Sequence, residues 1–229
     1  MNIFTIQKVA KEGKNYLVRR RTEHVLLLFP QYFSMFTLVF LHGWGHSRAQ
    51  WEKMAEMFSP AYKTVIYELP GFGNEPALGE AWDVPEYAAW VKSRVEKDGL
   101  TDVILVGHSF GGRISSLIAS GCPPWLKGLV LYGAPCLYRP SIKIQLKNFL
   151  GHWGGKLPFP ESFRKKIRGI EENDATQTGL RAIWRNIVAF DATAQMPRIA
   201  VPTLLVWGEL DIEAPVRIAR ELETLIPHA

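Results

Sequence analysis

The sequence predicts an α/β fold, a mostly parallel sheet with flanking helices, interrupted once by a helical insertion. Three observations carry that prediction. Short, near-continuous apolar runs alternate with stretches whose apolar residues recur at helical spacing, the pattern of a parallel sheet buried on both faces. The strand candidates run into glycine-containing turns, as strands that feed helices do. Between residues 136 and about 196 the alternation stops, and it resumes at Pro202.

Phe36 to Leu41 reads as a buried strand ended by Gly43 and Gly45. Ser47 is placed to cap a helix in which Trp51, Met54, Ala55 and Phe58 share a face. Thr64 to Tyr67 forms a second strand, closed by Leu69-Pro70-Gly71-Phe72-Gly73. A helix follows around Glu86 to Lys97, with Tyr87, Val91 and Val95 on one side. Val103 to Val106 runs into Gly107-His108-Ser109-Phe110-Gly111-Gly112, then a helix over Arg113 to Ser120 and a strand over Gly128 to Tyr132. Past the insertion come a strand, Thr203 to Trp207, and a helix near Ala214 to Leu225. Residues 1–135 and 197–229 thus make one core, and 136–196 a helical cap over it. There is no internal repeat and no low-complexity segment.

Composition narrows the class. The 229 residues suffice for one large domain, and 47% hydrophobic against 21% charged residues argues against disorder. A formal charge of +5 is mildly basic and names no partner. No nucleic-acid-binding module is recognisable. Two cysteines, Cys122 and Cys136, are too few for a disulfide framework or a thiolate metal site, so no metal is expected and a reducing cytoplasm is the simplest compartment. Val25 to Leu41, preceded by Arg19, Arg20 and Arg21, imitates a membrane span. It is interrupted by Pro30, Gln31 and Ser34 and falls short of the roughly 20 apolar residues a span needs. Two buried strands split by a turn at Pro30 and Gln31 fit it better than a span or a cleaved signal peptide.

The strongest chemical signal is Gly107-His108-Ser109-Phe110-Gly111, a Gly-x-Ser-x-Gly placed after a strand and before a helix. That is the context of a nucleophile elbow. The serine occupies a sharp, strained turn, so the positions two before and two after it must be small. His42-Gly43-Trp44-Gly45 follows another buried strand. Acyl transfer builds negative charge on a carbonyl oxygen, and two backbone N–H groups must already aim at it. The amides of Phe110 and Trp44 are the candidates. His42 reads as a structural histidine of that loop, and the Trp44 ring as either core or pocket wall. Gly208-Glu209-Leu210-Asp211 follows the strand at Thr203 and offers carboxylates where α/β sites collect. Glu209, Asp211 and Glu213 all lie there, and Asp211 could instead cap the next helix.

Taken together, these motifs resemble the α/β-hydrolase superfamily over roughly residues 36 to 229. The resemblance implies an eight-stranded, mostly parallel sheet with a cap, hydrolysis of a small acyl substrate through an acyl-enzyme, and no cofactor. It also selects Asp211 as the acid, in the order serine then acid. With serine at 109 in place of aspartate, dehalogenase and epoxide hydrolase chemistries are disfavoured. The His42 to Gly45 and Leu69 to Gly73 runs are similar to those in carboxylesterases of biotin synthesis, whose caps receive an acidic acyl carrier protein. Lys143, Lys147, Lys156, Arg164, Lys165, Lys166 and Arg168 make the cap basic, although a solvated helix face is the simpler explanation of such a run.

One part of the family pattern is missing. Its catalytic histidine follows a last strand, and only His228 comes after Asp211. The intervening helix, at 1.5 Å per residue, should carry His228 to the far edge of the sheet. His108 should point away from the pocket, and neither His46 nor His152 occupies the family's position. The sequence therefore reads as a hydrolase truncated before its last strand and helix, with Thr203 to Trp207 left as a bare sheet edge. The competing reading is an inactive fragment or a non-enzymatic binding relic of the fold.

Overall fold

In the computed structural model, residues 4–11, 14–21, 36–76, 82–139 and 178–229 are described. The elements run β1 (Phe4–Lys11), β2 (Lys14–Arg21), β3 (Thr37–Leu41), α1 (Glu52–Phe58), β4 (Lys63–Tyr67), α2 (Val84–Lys97), β5 (Val103–His108), α3 (Phe110–Ser120), β6 (Leu126–Tyr132), α4 (Thr178–Ala189), β7 (Thr203–Gly208) and α5 (Val216–Leu225). One sheet holds all seven strands in the order β1-β2-β7-β6-β5-β3-β4. The five strands from β7 to β4 are mutually parallel.

Alternation along β3 explains how the sheet is covered. Val39 and Leu41 join the larger core with residues of α2, α3 and α5, while Leu38 and Phe40 join a smaller core with Trp51 and Ala55. Successive side chains of a strand point to opposite faces, so a run apolar at every position needs a layer on each. From α4, Ile183 and Ile187 enter the larger core. Just outside the undescribed part of the insertion, the Arg139 guanidinium ties its two ends together. It donates to Thr193 Oγ1 at 3.0 Å and to Glu221 Oε1 of α5 at 3.0 Å, and pairs with Asp191 at 3.4 Å.

Two sequence expectations are corrected. Ser47 heads a short 3-10 turn, Arg48–Gln50, with no bond from its side chain, and α1 begins only at Glu52. Trp51 packs inward against Phe40, with ring centroids 5.2 Å apart, on the same buried face as Ala55. Arg19, Arg20 and Arg21 lie within β2. Among the described residues, no helix is long and apolar enough to cross a membrane. The proposed turn at Pro30 and Gln31 and the basic run from Lys143 to Arg168 lie outside the described residues.

The second correction concerns the sheet edge. β7 is not bare: β2 lies antiparallel to it, pairing Tyr16 with Gly208, Leu17 with Trp207 and Val18 with Val206. An unpaired row of N–H and C=O groups is a template for another strand, and the N-terminal hairpin supplies one. β1 then pairs with β2 from Phe4–Arg21 to Lys11–Lys14.

Local chemistry sets α2 most clearly. Asp83 accepts from the Val84 amide at 2.6 Å and Glu86 accepts from the Asp83 amide at 2.8 Å, a reciprocal capping box, with Pro85 in the first turn. Asp83→Ala is expected to cost about 1 kcal/mol, seen as a lower urea midpoint at unchanged slope.

Candidate active site

Ser109 sits between β5 and α3 with φ +48° and ψ −109°, conformational strain of about 1–3 kcal/mol held by its surroundings. Its amide donates to the Tyr132 carbonyl at 3.0 Å, and the Gly112 and Arg113 amides donate back to its own carbonyl. Small residues make this possible. A Cβ on Gly107 would lie 2.5 Å from the Gly111 oxygen and 2.6 Å from Ser115 Oγ. A Cβ on Gly111 would run into the Leu41 carbonyl and lie 2.8 Å from that of His42. The Gly111 amide donates to the His42 carbonyl at 3.1 Å, so elbow and neighbouring loop are joined backbone to backbone.

That loop, His42 to Gly45, is oriented by His42, which is fully buried. Its Nε2 accepts from the Leu69 amide at 3.0 Å, which leaves the proton on Nδ1 to donate to the Gly43 carbonyl at 2.8 Å. The His46 amide donates to the same carbonyl at 3.2 Å. In a trans peptide the C=O and the following N–H point in opposite directions. Holding the Gly43 oxygen therefore turns the Trp44 N–H to the other side of the loop. Neither the Trp44 nor the Phe110 amide has an acceptor among the described residues. Gly45 takes φ +71°, a conformation glycine adopts without strain. The Trp44 ring is half-buried, edge-on to Phe72 at 4.9 Å and to Phe110 at 5.8 Å, so it belongs to an aromatic wall beside the elbow.

Asp211 follows β7 at the same sheet edge, separated from Ser109 by β6. The gap is two strand spacings, about 10 Å between backbones. Its Oδ1 accepts from the Glu213 and Ala214 amides at 2.9 and 2.8 Å. It thus holds the turn before α5, whose N-cap is Pro215. Its Oδ2 points toward Gly133, 3.5 Å from where a Cβ there would stand, and the same spot is 4.0 Å from His108 Nε2. Leu210 and Ile212, on either side, are 92% and 90% exposed, giving the acid an apolar rim.

Of six histidines four are described, and none of the four hydrogen-bonds to Ser109 or Asp211. His42 has both nitrogens committed. His108 lies behind the elbow with Nδ1 on Gln50, and exposed His46 packs against it at 6.0 Å. The His228 carbonyl accepts from the amide of Thr203, the first residue of β7, and so lies at the end of that strand opposite Asp211. A cavity of about 240 Å³, lined by Arg48, Glu68, Trp90 and Arg94 among others, opens over β4 and α2. None of the elbow residues lines it, and it is not the candidate site.

Burial pushes the His108 imidazole down to about 4; neighbouring His46 and His42 lower it further, while Asp211 opposes the shift. The unfolded chain takes up this proton near pH 6.5 and the folded chain refuses it until about 4. Stability should therefore fall as pH drops through that window, by about 1.4 kcal/mol per unit from this group. Urea midpoints at pH 7 and pH 5 check it, and His108→Asn should shrink the difference.

Residues 38–227 match the model of the alpha/beta hydrolase family. A pimeloyl-[acyl-carrier protein] methyl ester esterase of Aeromonas hydrophila is 35% identical over 202 residues, covering 78% of each chain. One from Wigglesworthia glossinidia brevipalpis is 29% identical over 208 residues, covering 79% of this chain and 77% of that one. Among solved structures, MGS-M2, an alpha/beta hydrolase from a Medee basin deep-sea metagenome library, superposes with TM-score 0.66 at 17% identity, over 97% of this chain and 86% of that one. An esterase from Exiguobacterium antarcticum gives 0.63 at 19%, over 100% and 88%. With the elbow and the parallel sheet in place, the chain belongs to the alpha/beta hydrolase family.

Proposed function

We propose that this hydrolase cleaves carboxylic esters, with Ser109 as nucleophile. The carrying observation is the elbow, with Ser109 in its strained turn and the Phe110 and Trp44 amides without acceptors among the described residues. Ser109 Oγ bonds to the acyl carbon and gives its proton to an imidazole. The oxyanion is held by the Phe110 and Trp44 amides. The C–O bond of the ester then breaks, the imidazole returns the proton to the leaving alcohol, and water hydrolyses the acyl-enzyme. Asp211, with Oδ1 fixed by two amides, presents Oδ2 to orient that imidazole. The imidazole is not one of the four described histidines.

The relatives' printed names support a narrower substrate, a methyl ester on an acyl chain carried by acyl carrier protein. The basic residues from Lys143 to Arg168 would receive that acidic carrier, and its binding should weaken as salt is raised. A fluorophosphonate probe tests the nucleophile. Labelling at Ser109, accelerated by added imidazole, is the expected result. No labelling with or without imidazole would favour a non-catalytic binding protein.

A further inference from the structure

We infer that Gln50 is a positioning residue that locks the oxyanion loop to the nucleophile elbow through His108. The inference rests on the reading of Trp44 N–H as an oxyanion donor.

Gln50 closes the 3-10 turn after the loop and is half-buried. Its Oε1 accepts from the Gly43 amide at 3.0 Å, and its Nε2 lies 2.7 Å from His108 Nδ1. The orientation of the amide is forced. The Gly43 N–H can only donate, so the carboxamide oxygen must face it and the NH₂ must face the ring. His108 Nδ1 is then the acceptor, and the ring carries its proton on Nε2. The ring cannot drift away from this bond. It is enclosed by Tyr132 at 5.3 Å, Trp51 at 6.5 Å and His46 at 6.0 Å, and a Cβ on Gly43 would come within 2.6 Å of its Nδ1.

The consequence is mechanical. The Gly43 carbonyl is held by His42 and His46, and the Gly43 N–H by Gln50. Both peptide planes flanking Gly43 are thereby fixed, and the second of them carries the Trp44 N–H. His108 immediately precedes Ser109. One side chain therefore sets the spacing between a loop amide and the elbow without touching substrate.

Gln50→Met removes both bonds, and Gln50→Glu keeps the acceptor but sets a carboxylate against Nδ1. For Gln50→Met, kcat on p-nitrophenyl acetate should fall about 10- to 100-fold with KM within about twofold, in protein that remains folded by circular dichroism. For Gln50→Glu, which keeps the acceptor for the Gly43 N–H but loses the donor to His108, kcat should fall less than in Gln50→Met. Amide exchange gives a readout independent of turnover: the Gly43 amide should exchange faster in Gln50→Met and keep more of its protection in Gln50→Glu. Wild-type kcat and unaltered exchange in Gln50→Met would overturn the role of Gln50. Activity that survives Ser109→Ala would instead overturn the reading on which it rests.

Discussion

Ser109→Ala is expected to abolish fluorophosphonate labelling and the ester hydrolysis that added imidazole stimulates, because nucleophile and base act as a unit. The loss should appear in kcat, with little change in KM, because the hydroxyl is needed only once the acyl carbon is attacked. Alanine carries the same Cβ as serine, so the strained backbone at φ +48° keeps its cost and the unfolding midpoint should hardly move. The Ser109 side chain caps no amide of α3, which removes the usual stabilising role of a residue at that position. A large drop in thermal stability would instead show a structural serine. Steady-state kinetics and fluorophosphonate labelling, paired with a melting curve, separate the two.

Gly111→Ala should have the largest effect on folding. Its added Cβ would meet the Leu41 carbonyl at the end of β3 and the His42 carbonyl beyond it. Neither obstacle is a flexible side-chain tip. Leu41 is paired to β4 and β5, and the His42 carbonyl already accepts the Gly111 amide. Relief requires α3 to back away from β3 and break that bond. Overpacking against side chains typically costs 1–3 kcal/mol, and rigid backbone puts this substitution at or above the top of that range, about 3 kcal/mol or more. Insoluble expression or a greatly lowered urea midpoint is the expected observation. A soluble variant of unchanged midpoint would show that the elbow tolerates separation from β3.

The parallel strands and the elbow could be read from sequence because their signals are local. An apolar run buried on both faces, such as Thr37 to Leu41, identifies itself, and so do glycines at fixed offsets from a serine. Gln50 gives no such signal. Its bonds reach the Gly43 backbone seven residues back and the His108 ring 58 residues on. Only the sheet order that sets β3 beside β5 brings them together. The Ser47 cap fails as an expectation because the chain after it takes a 3-10 turn, Arg48–Gln50, before α1 begins at Glu52. The N-terminal hairpin was equally hidden. Its charged residues, among them Lys8, Lys11, Arg19 and Arg21, suggest surface, and its partner β7 lies almost the whole chain away.

That pairing has a consequence for how the protein comes off the ribosome. Tyr16 of β2 precedes its partner Gly208 by 192 positions (208 − 16 = 192), so the hairpin must wait until the intervening strands are made before its place in the sheet exists. Closing so long a loop carries an entropic cost that local hairpin contacts do not offset. The parallel strands β3, β4, β5 and β6 can assemble meanwhile. The acid-bearing edge is then completed last, when β7 arrives and Tyr16 finds Gly208.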